Sequence, residues 1–327
     1  MPVTTKDIAR ICGVSRATVD RALNNKLYIK EEVKERILKV AQELGYQPDL
    51  LARSLVKGKT KSLGVVVFDV NNRFFAQMVN TIEMRAKKAG YFIYITLSEK
   101  EPQMEKELIR HLTARRVDGV ILSPINKGAA FDEFLKKQGL PIVAISNRIS
   151  GQWPFVGLND AKAAKLGAEY IKNKGYRQII YLAPPLVAKK DNIYAQEKRL
   201  EGFLESFNDD STTEYITIAS QDYLNMLDGL IARTDKKTAV FCSSDVFALK
   251  VLIHLKESGK RVPQDIGLMG FDNIDTLKYV SPRLTTICNP IEEMAVKAVE
   301  CLFDQIEGRP VSMSQLLEPH IIEGESL

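Results

Sequence analysis

From residue 61 onward the chain repeats one pattern: a short apolar run, an amphipathic stretch of ten or more residues, then another apolar run. LGVVVF at 63–68, YFIYITL at 91–97, GVILS at 119–123 and PIVAIS at 141–146 form one set. After a crossover near Gly157, QIIYLA at 178–183, AVFCS at 239–243 and IGLMG at 266–270 form a second. Runs that stay apolar without alternating suit strands buried on both faces, and helical spacers of that length suit parallel crossovers. The pattern predicts two doubly wound parallel sheets, and therefore a two-lobed α/β body. Ligands of open α/β sheets bind beyond the carboxyl ends of the strands. The residues that follow the runs are therefore site candidates: Asn71-Asn72-Arg73-Phe74-Phe75, Asn147-Arg148, Ser244-Asp245 and Gly270-Phe271-Asp272-Asn273. They should converge on a cleft between the lobes.

The first sixty residues follow a helical period instead. Thr4 precedes Asp7 by three residues, the spacing of a capping box, so a first helix is expected from about Thr5 with Ile8, Ile11 and Cys12 as its apolar face. Gly13 permits a sharp turn, Ser15 caps a second helix, and Val19, Ala22 and Leu23 can pack it back on the first. Arg16, Ala17, Asp20 and Arg21 are left facing outward near its N-terminal end, where a recognition helix enters a major groove and where arginine can donate two bonds to a guanine edge. Val33, Ile37, Val40, Ala41 and Leu44 make the stripe of a third helix closed by Gly45. Residues 49–57 have helix-forming composition, but nine residues cannot sustain a helix alone in water, so this hinge should order only when docked. The division expected is an all-α helix-turn-helix headpiece at 1–47, a hinge helix and linker at 48–60, and an effector-binding and dimerisation domain at 61–327. Within that domain, lobe 1 should take about 61–158 and 290–317, and lobe 2 about 159–289 and 318–327.

Charge points to the same partition. Residues 1–60 hold 12 Lys/Arg and 7 Asp/Glu, a net of +5, whereas the whole chain has 46 and 41, leaving 34 of each sign in residues 61–327. The entire basic excess coincides with the helix-turn-helix spacing, as expected of a phosphate-binding module on a neutral body. No basic start leads into an apolar run and no stretch nears the roughly 18 apolar residues of a membrane span, so a cytoplasmic protein is expected. Cys12, Cys242, Cys288 and Cys301 lack metal-ligand spacing and read as buried free thiols. His111, His254 and His320 have no neighbour suggesting catalysis.

The segments TTKDIARICGVSRATVDRALN, YQPDLLARSL, NNRFF, RLEGF, SSDVFALK and GFDNI occur in the order of the lactose/galactose repressor (LacI/GalR) family, which the chain resembles over essentially its full length. The resemblance implies a homodimer on a near-palindromic operator, with a body similar to ribose-type periplasmic sugar-binding proteins. It implies base reading by Arg16, Ala17 and Arg21 within a DNA-facing set that also includes Thr4, Thr5, Ser15, Thr18, Asp20 and Asn24. Leu55 matches the leucine that wedges into the minor groove, beside Ala52 and Arg53. Asp20 and Asp49 stand where the family usually has Ser and Asn; Asp20 could pair with Arg16 four residues before it, or accept from a cytosine amine. For the effector, NNRFF is similar to the NNPFF of ribose-binding proteins, mapping a hydroxyl-bonding role onto Asn72 and ring stacking onto Phe74 and Phe75. Phe75 would serve equally as core. Arg148, Arg199 and Asp272 match the charged ligand residues, and Asp272 has little structural reason to follow an apolar strand. Asn147, Ser244 and Asn289 replace the Asp, Asn and Gln of a ribose-type site.

The leading expectation is a ligand-responsive transcription regulator, a repressor whose effector is a sugar and which needs no cofactor. A cytoplasmic solute-binding protein is the alternative. A nucleotide-dependent enzyme is opposed by the lack of Gly-x-Gly-x-x-Gly after a strand, of a phosphate-binding Gly-Lys-Ser/Thr loop and of an acid/base pair.

Overall fold

The computed structural model describes residues 3–25, 29–46, 58–185 and 192–327. The chain divides into two compact units, residues 1–60 and 61–327. Ala52, Arg53 and Leu55 of the expected hinge lie outside the described residues.

The first unit is built from α1 (Thr5–Cys12), α2 (Arg16–Leu23) and α3 (Glu31–Glu43). Asp7 accepts from the Thr4 backbone N–H at 3.0 Å and from its hydroxyl at 2.7 Å, closing the first turn. Gly13 takes φ +62°, a conformation without a Cβ penalty, and the Val14 N–H donates to the Ala9 carbonyl at 3.0 Å, so α1 stops within one residue. Ser15 Oγ accepts from the Thr18 N–H at 3.1 Å and starts α2. Ile8, Ala9, Cys12, Val19, Ala22, Ile37 and Ala41 form the core. Two expectations are corrected here. Ile11 is 55% exposed and Ala9 is buried in its stead, because α2 and α3 contact α1 on a stripe rotated by about one residue. Leu44 is 36% exposed, since α3 is already turning away: Gly45 adopts φ +62° and the Tyr46 N–H reaches the Ala41 carbonyl at 2.8 Å.

The second unit alternates strands and helices: β1 (Ser62–Val67), α4 (Arg73–Lys88), β2 (Phe92–Leu97), α5 (Pro102–Ala114), β3 (Gly119–Leu122), α6 (Ala129–Gln138), β4 (Ile142–Ile145) and β5 (Phe155–Leu158) come first. After them come α7 (Asp160–Asn173), β6 (Gln178–Ala183), α8 (Tyr194–Glu205), β7 (Glu214–Ala219), α9 (Tyr223–Ile231), β8 (Thr238–Cys242), α10 (Asp245–Glu257), β9 (Gly267–Asp272) and β10 (Thr285–Cys288). The chain ends with α11 (Ile291–Ile306), β11 (Ser314–Leu317) and β12 (His320–Ile322). Two six-stranded sheets result, ordered β2-β1-β3-β4-β5-β11 and β7-β6-β8-β9-β10-β12. Every pairing is parallel except β10 with β12.

The chain passes between the sheets three times, after β5, after β10 and after β11. Helix α11 packs on α4 and against β3, β4 and β5, so it covers the first sheet although it follows β10 of the second. β1, β3, β4, β6, β8 and β9 are buried throughout, as continuous apolar runs require. β2 departs from that rule: Phe92 is 73% exposed and Tyr94, Ile95 and Leu97 are also open, because β2 is the sheet edge. No described helix is long and apolar enough to cross a membrane. The four cysteines are free, with Cys12, Cys242 and Cys301 buried. His254 Nε2 lies 2.9 Å from Asp228 Oδ1 on neighbouring helices of the second lobe.

Candidate functional site

On the headpiece, Arg16, Ala17, Asp20 and Arg21 are exposed on α2, while Val19 and Ala22 are turned into the core. The expected Arg16–Asp20 pair does not form. Arg16 Nε donates instead to Thr5 Oγ1 at 3.1 Å, tying α2 to the start of α1, and Asp20 Oδ1 accepts from Asn24 Nδ2 at 3.1 Å. The carboxylate at position 20 is thus held one turn toward the C-terminus and leaves Arg21 without an acidic partner among the described residues. Ser15 and Thr18 share a bond between their hydroxyls at 2.9 Å at the start of α2.

In the body, a buried charge cluster ties α7 and α8 to the ends of β8 and β9 in the second lobe. Gly202 on α8 lies so close to α7 that a Cβ there would stand 1.9 Å from the Ala161 carbonyl oxygen. That approach brings Arg199, one turn earlier on α8, onto Asp160 at the first turn of α7: Nε to Oδ1 is 2.8 Å, with both side chains almost fully buried. Arg199 Nη1 donates to the Ser243 carbonyl at 2.7 Å beyond β8, and its guanidinium stacks 3.7 Å above the Phe271 ring. Nη2 makes only a long 3.5 Å approach to Asp272 Oδ1, which also accepts from Asn289 Nδ2 at 3.3 Å. Asp272 Oδ2 has no bond among the described residues, and Asn289 Oδ1 is buried without a partner.

Burial pushes the Asp272 carboxyl up to about 6 against the opposing pull of Arg199, and burial also raises Asp160. Beneath them Asp245, at the start of α10, fits only because Gly270 lacks a Cβ, which would sit 2.1 Å from Asp245 Oδ1. It accepts from Thr286 Oγ1 at 2.6 Å and from the Ile274 N–H at 2.9 Å, and burial followed by the nearby Asp272 raises its carboxyl to about 8. The expectation that Asp272 lacks a structural role is therefore corrected: it balances Arg199. It also closes β9 in a left-handed conformation, φ +112°, followed by Asn273 at φ +55°. Ser146, just after β4 in the facing lobe, has φ +68°. Strain of this kind, about 1–3 kcal/mol per residue, collects at functional sites.

The remaining candidates divide. Asn72 Oδ1 accepts from the Phe74 N–H at 3.1 Å and caps α4, and Ser244 Oγ caps α10 through the Phe247 N–H at 3.4 Å. Phe74 and Phe75 are buried, packed edge to face at 5.1 Å, with Phe68 against Phe75 at 5.0 Å. Asn147 is a bridge between lobes: Nδ2 donates to the Asn192 carbonyl at 3.0 Å and Oδ1 accepts from the Ala195 N–H at 3.1 Å. Asn192, which sequence reasoning missed, completes that side. Its side chain donates to the Arg148 carbonyl at 2.8 Å and the Asn126 carbonyl at 3.3 Å, and its N–H to the Ile125 carbonyl at 2.8 Å. On another side, Arg73 grips Asp275 bidentately, donating from Nε and Nη2 to its two carboxylate oxygens, and Gln77 Oε1 accepts from the Asp275 N–H at 3.0 Å. The lobes are closed on each other by polar groups. Asp160 was also missed; its only signal was a helix-starting Asn-Asp at the first crossover. Asn192 had none, because its partners are backbone carbonyls far away in sequence.

A helix-turn-helix unit with exposed arginines, followed by a two-lobed body with a charged cleft, defines a ligand-responsive DNA-binding regulator. Residues 4–49 match the bacterial regulatory proteins of the lacI family, and residues 168–327 match the periplasmic binding protein-like domain. The HTH-type transcriptional repressor CytR of Escherichia coli K12 is 30% identical, over 98% of this chain and 94% of its own length. The structure of the Lac repressor dimer bound to operator and the anti-inducer ONPF superposes with a TM-score of 0.87 at 24% identity, covering 100% of this chain and 99% of that one, and shares the fold. A LacI family regulator from Enterococcus faecium with bound ribose gives a TM-score of 0.71 at 25% identity, over 81% of this chain and 98% of that one. The chain belongs to the lacI family of bacterial regulatory proteins. It is a transcriptional regulator with a DNA-binding headpiece and a ligand-binding body.

Proposed function

We propose that the regulator represses transcription as a homodimer on a near-palindromic operator, and that a sugar held between its lobes controls operator affinity. The observation behind the sugar is the unsatisfied polar edge of the buried cluster. Arg199 Nη2, Asp272 Oδ2 and the unpartnered Asn289 Oδ1 offer one donor and two acceptors side by side, the complement of vicinal hydroxyls. Asp160 and the Ser243 carbonyl hold Arg199 from behind. From the first lobe Asn147 reaches the Ala195 N–H, one turn before Arg199 on α8, so a ligand entering there would compete with the Asn147 bonds that close the lobes. Asn72, Phe74, Phe75 and Ser244 support the site through the helix starts and the core rather than by presenting free polar atoms.

On the headpiece, Thr4, Thr5, Ser15, Arg16, Ala17, Thr18, Asp20, Arg21 and Asn24 form the DNA-facing set. Ala52, Arg53 and Leu55 serve the minor groove, with the hinge dividing a headpiece at 1–47 from a body at 61–327. Dimerisation is supported by apolar surface: Phe92, Tyr94 and Ile95 on the β2 edge with nearby Met84, and Met226, Ile253 and Tyr279 on the second lobe, are all exposed. Work on chromosomal DNA makes the cytoplasm its compartment, and no catalysis is required. A thermal-shift screen of pentoses, hexoses, polyols and nucleosides, then operator binding with and without the hit, tests the reading. A hit that changes operator affinity supports it; a ligand that binds and leaves operator affinity unaltered refutes the coupling.

A further inference from the structure

A cavity beside the bridge between the lobes differs in electrostatics from the Arg199 cluster. This cavity, of about 410 Å³, opens beside the Asn147–Asn192 bridge, lined by Lys127, Arg148, Ser150, Asn192, Tyr194 and Glu197. That volume suits a monosaccharide-sized group. Inside the cluster, one guanidinium faces two carboxylates. At this cavity, two cations face one carboxylate, and that one is loosely engaged: Glu197 Oε1 lies 3.9 Å from Lys127 Nζ.

Arg148 has no acidic partner among the described residues, and its Nε is buried without a hydrogen bond. The side chain is oriented by other means. Its guanidinium carbon lies 5.8 Å from the centre of the Phe155 ring, Tyr194 meets that ring edge-on at 5.8 Å, and the Arg148 carbonyl is fixed by Asn192. Lys127 follows a loop that is itself anchored. Glu105, fully buried, accepts from the Ile125 N–H at 2.7 Å, the Asn126 N–H at 3.0 Å and Asn126 Nδ2 at 2.6 Å. A buried, unsatisfied guanidinium nitrogen is costly unless an acceptor completes it, and a doubly cationic pocket favours an acceptor bearing negative charge.

We propose that the effector is an anionic monosaccharide, whose phosphate or carboxylate is held by Arg148 and Lys127. The inference rests on the sugar reading above and adds the charged group and its receptor residues. Phosphate and carboxylate share this chemistry, and the test separates them.

The full-length protein is titrated calorimetrically with ribose, ribose 5-phosphate, glucose, glucose 6-phosphate and gluconate. A charged sugar is expected to bind at least about tenfold more tightly than its neutral parent, with an affinity that falls as salt rises. Lys127→Met and Arg148→Met should each weaken that sugar by about tenfold or more. Lys127 is a third exposed, so its variant tests the pocket without disturbing the core. Preference for ribose 5-phosphate or glucose 6-phosphate assigns a phosphate, and preference for gluconate a carboxylate. If neutral sugars bind as tightly as charged ones, or Lys127→Met leaves the charged sugar's affinity unchanged, the anion pocket is overturned while the sugar reading stands. If no sugar binds, both fall.

Discussion

The recognition helix and the inter-lobe cleft present their functional residues in opposite states. On α2 the arginines stand in solvent on a scaffold held together by seven small and medium side chains. In the cleft Arg199, Asp272 and Asn147 are already bonded to one another or to the opposite lobe, and each holds the body together as well as belonging to the proposed effector site. The difference teaches that the two surfaces fail differently. A headpiece residue can be removed with loss of DNA contacts alone, whereas a cleft residue takes stability with it.

The largest effect should come from Arg199→Ala, which strips the cation from between Asp160 and Asp272. Removing one partner of a buried pair leaves an uncompensated charge, and a loss of about 3–5 kcal/mol is expected. Denaturant unfolding followed by circular dichroism measures it; wild-type stability would erase the contrast between cleft and headpiece.

Asp245 sharpens it through pH. Its carboxyl, raised to about 8, keeps a proton in the folded body that the unfolded chain releases near pH 4. The folded state therefore binds more protons across that interval, and stability falls as pH rises from about 4 to about 8, by up to about 1.4 kcal/mol per pH unit from this group. Asp272, raised to about 6, acts in the same direction over a narrower window. Asp245→Asn should flatten the slope, and parallel pH profiles for the two proteins would contradict the assignment.

A smaller effect, confined to DNA, is expected of Arg21→Ala. Losing one base contact should weaken selected operator duplex by about 1–3 kcal/mol and leave random duplex little changed, with thermal stability intact. Equal losses on both duplexes would make Arg21 a phosphate contact.

These contrasts also explain what sequence could reveal. The helix-turn-helix was legible because its function lies on the periodic face that its core leaves over, although Ile11 shows that a one-residue rotation of the stripe is not. The two sheets were legible where strands are central and continuously apolar. β7 is a half-exposed edge, β10 opens with two Thr residues, and β11 and β12 contain Ser, Gln and His, so none of these offered an unbroken apolar run. In the cleft, Asp272 and Arg199 were found by their place after a strand and within RLEGF. Their mutual bond was not, because it depends on Gly202 admitting α8 onto α7, and on Asp160, which any helix start could have explained. Asn192 bonds backbone carbonyls and leaves no compositional trace.

The central claim is that the unsatisfied edge of the Arg199–Asp272 cluster receives the effector. Asp272→Asn tests it most directly, since Asn tolerates the left-handed φ of +112° and keeps the side-chain volume while removing the charge. Calorimetric titration of the folded variant with the sugar that the thermal-shift screen identifies should show binding weakened by about tenfold or more relative to wild type. Wild-type affinity in Asp272→Asn would move the effector away from this cluster.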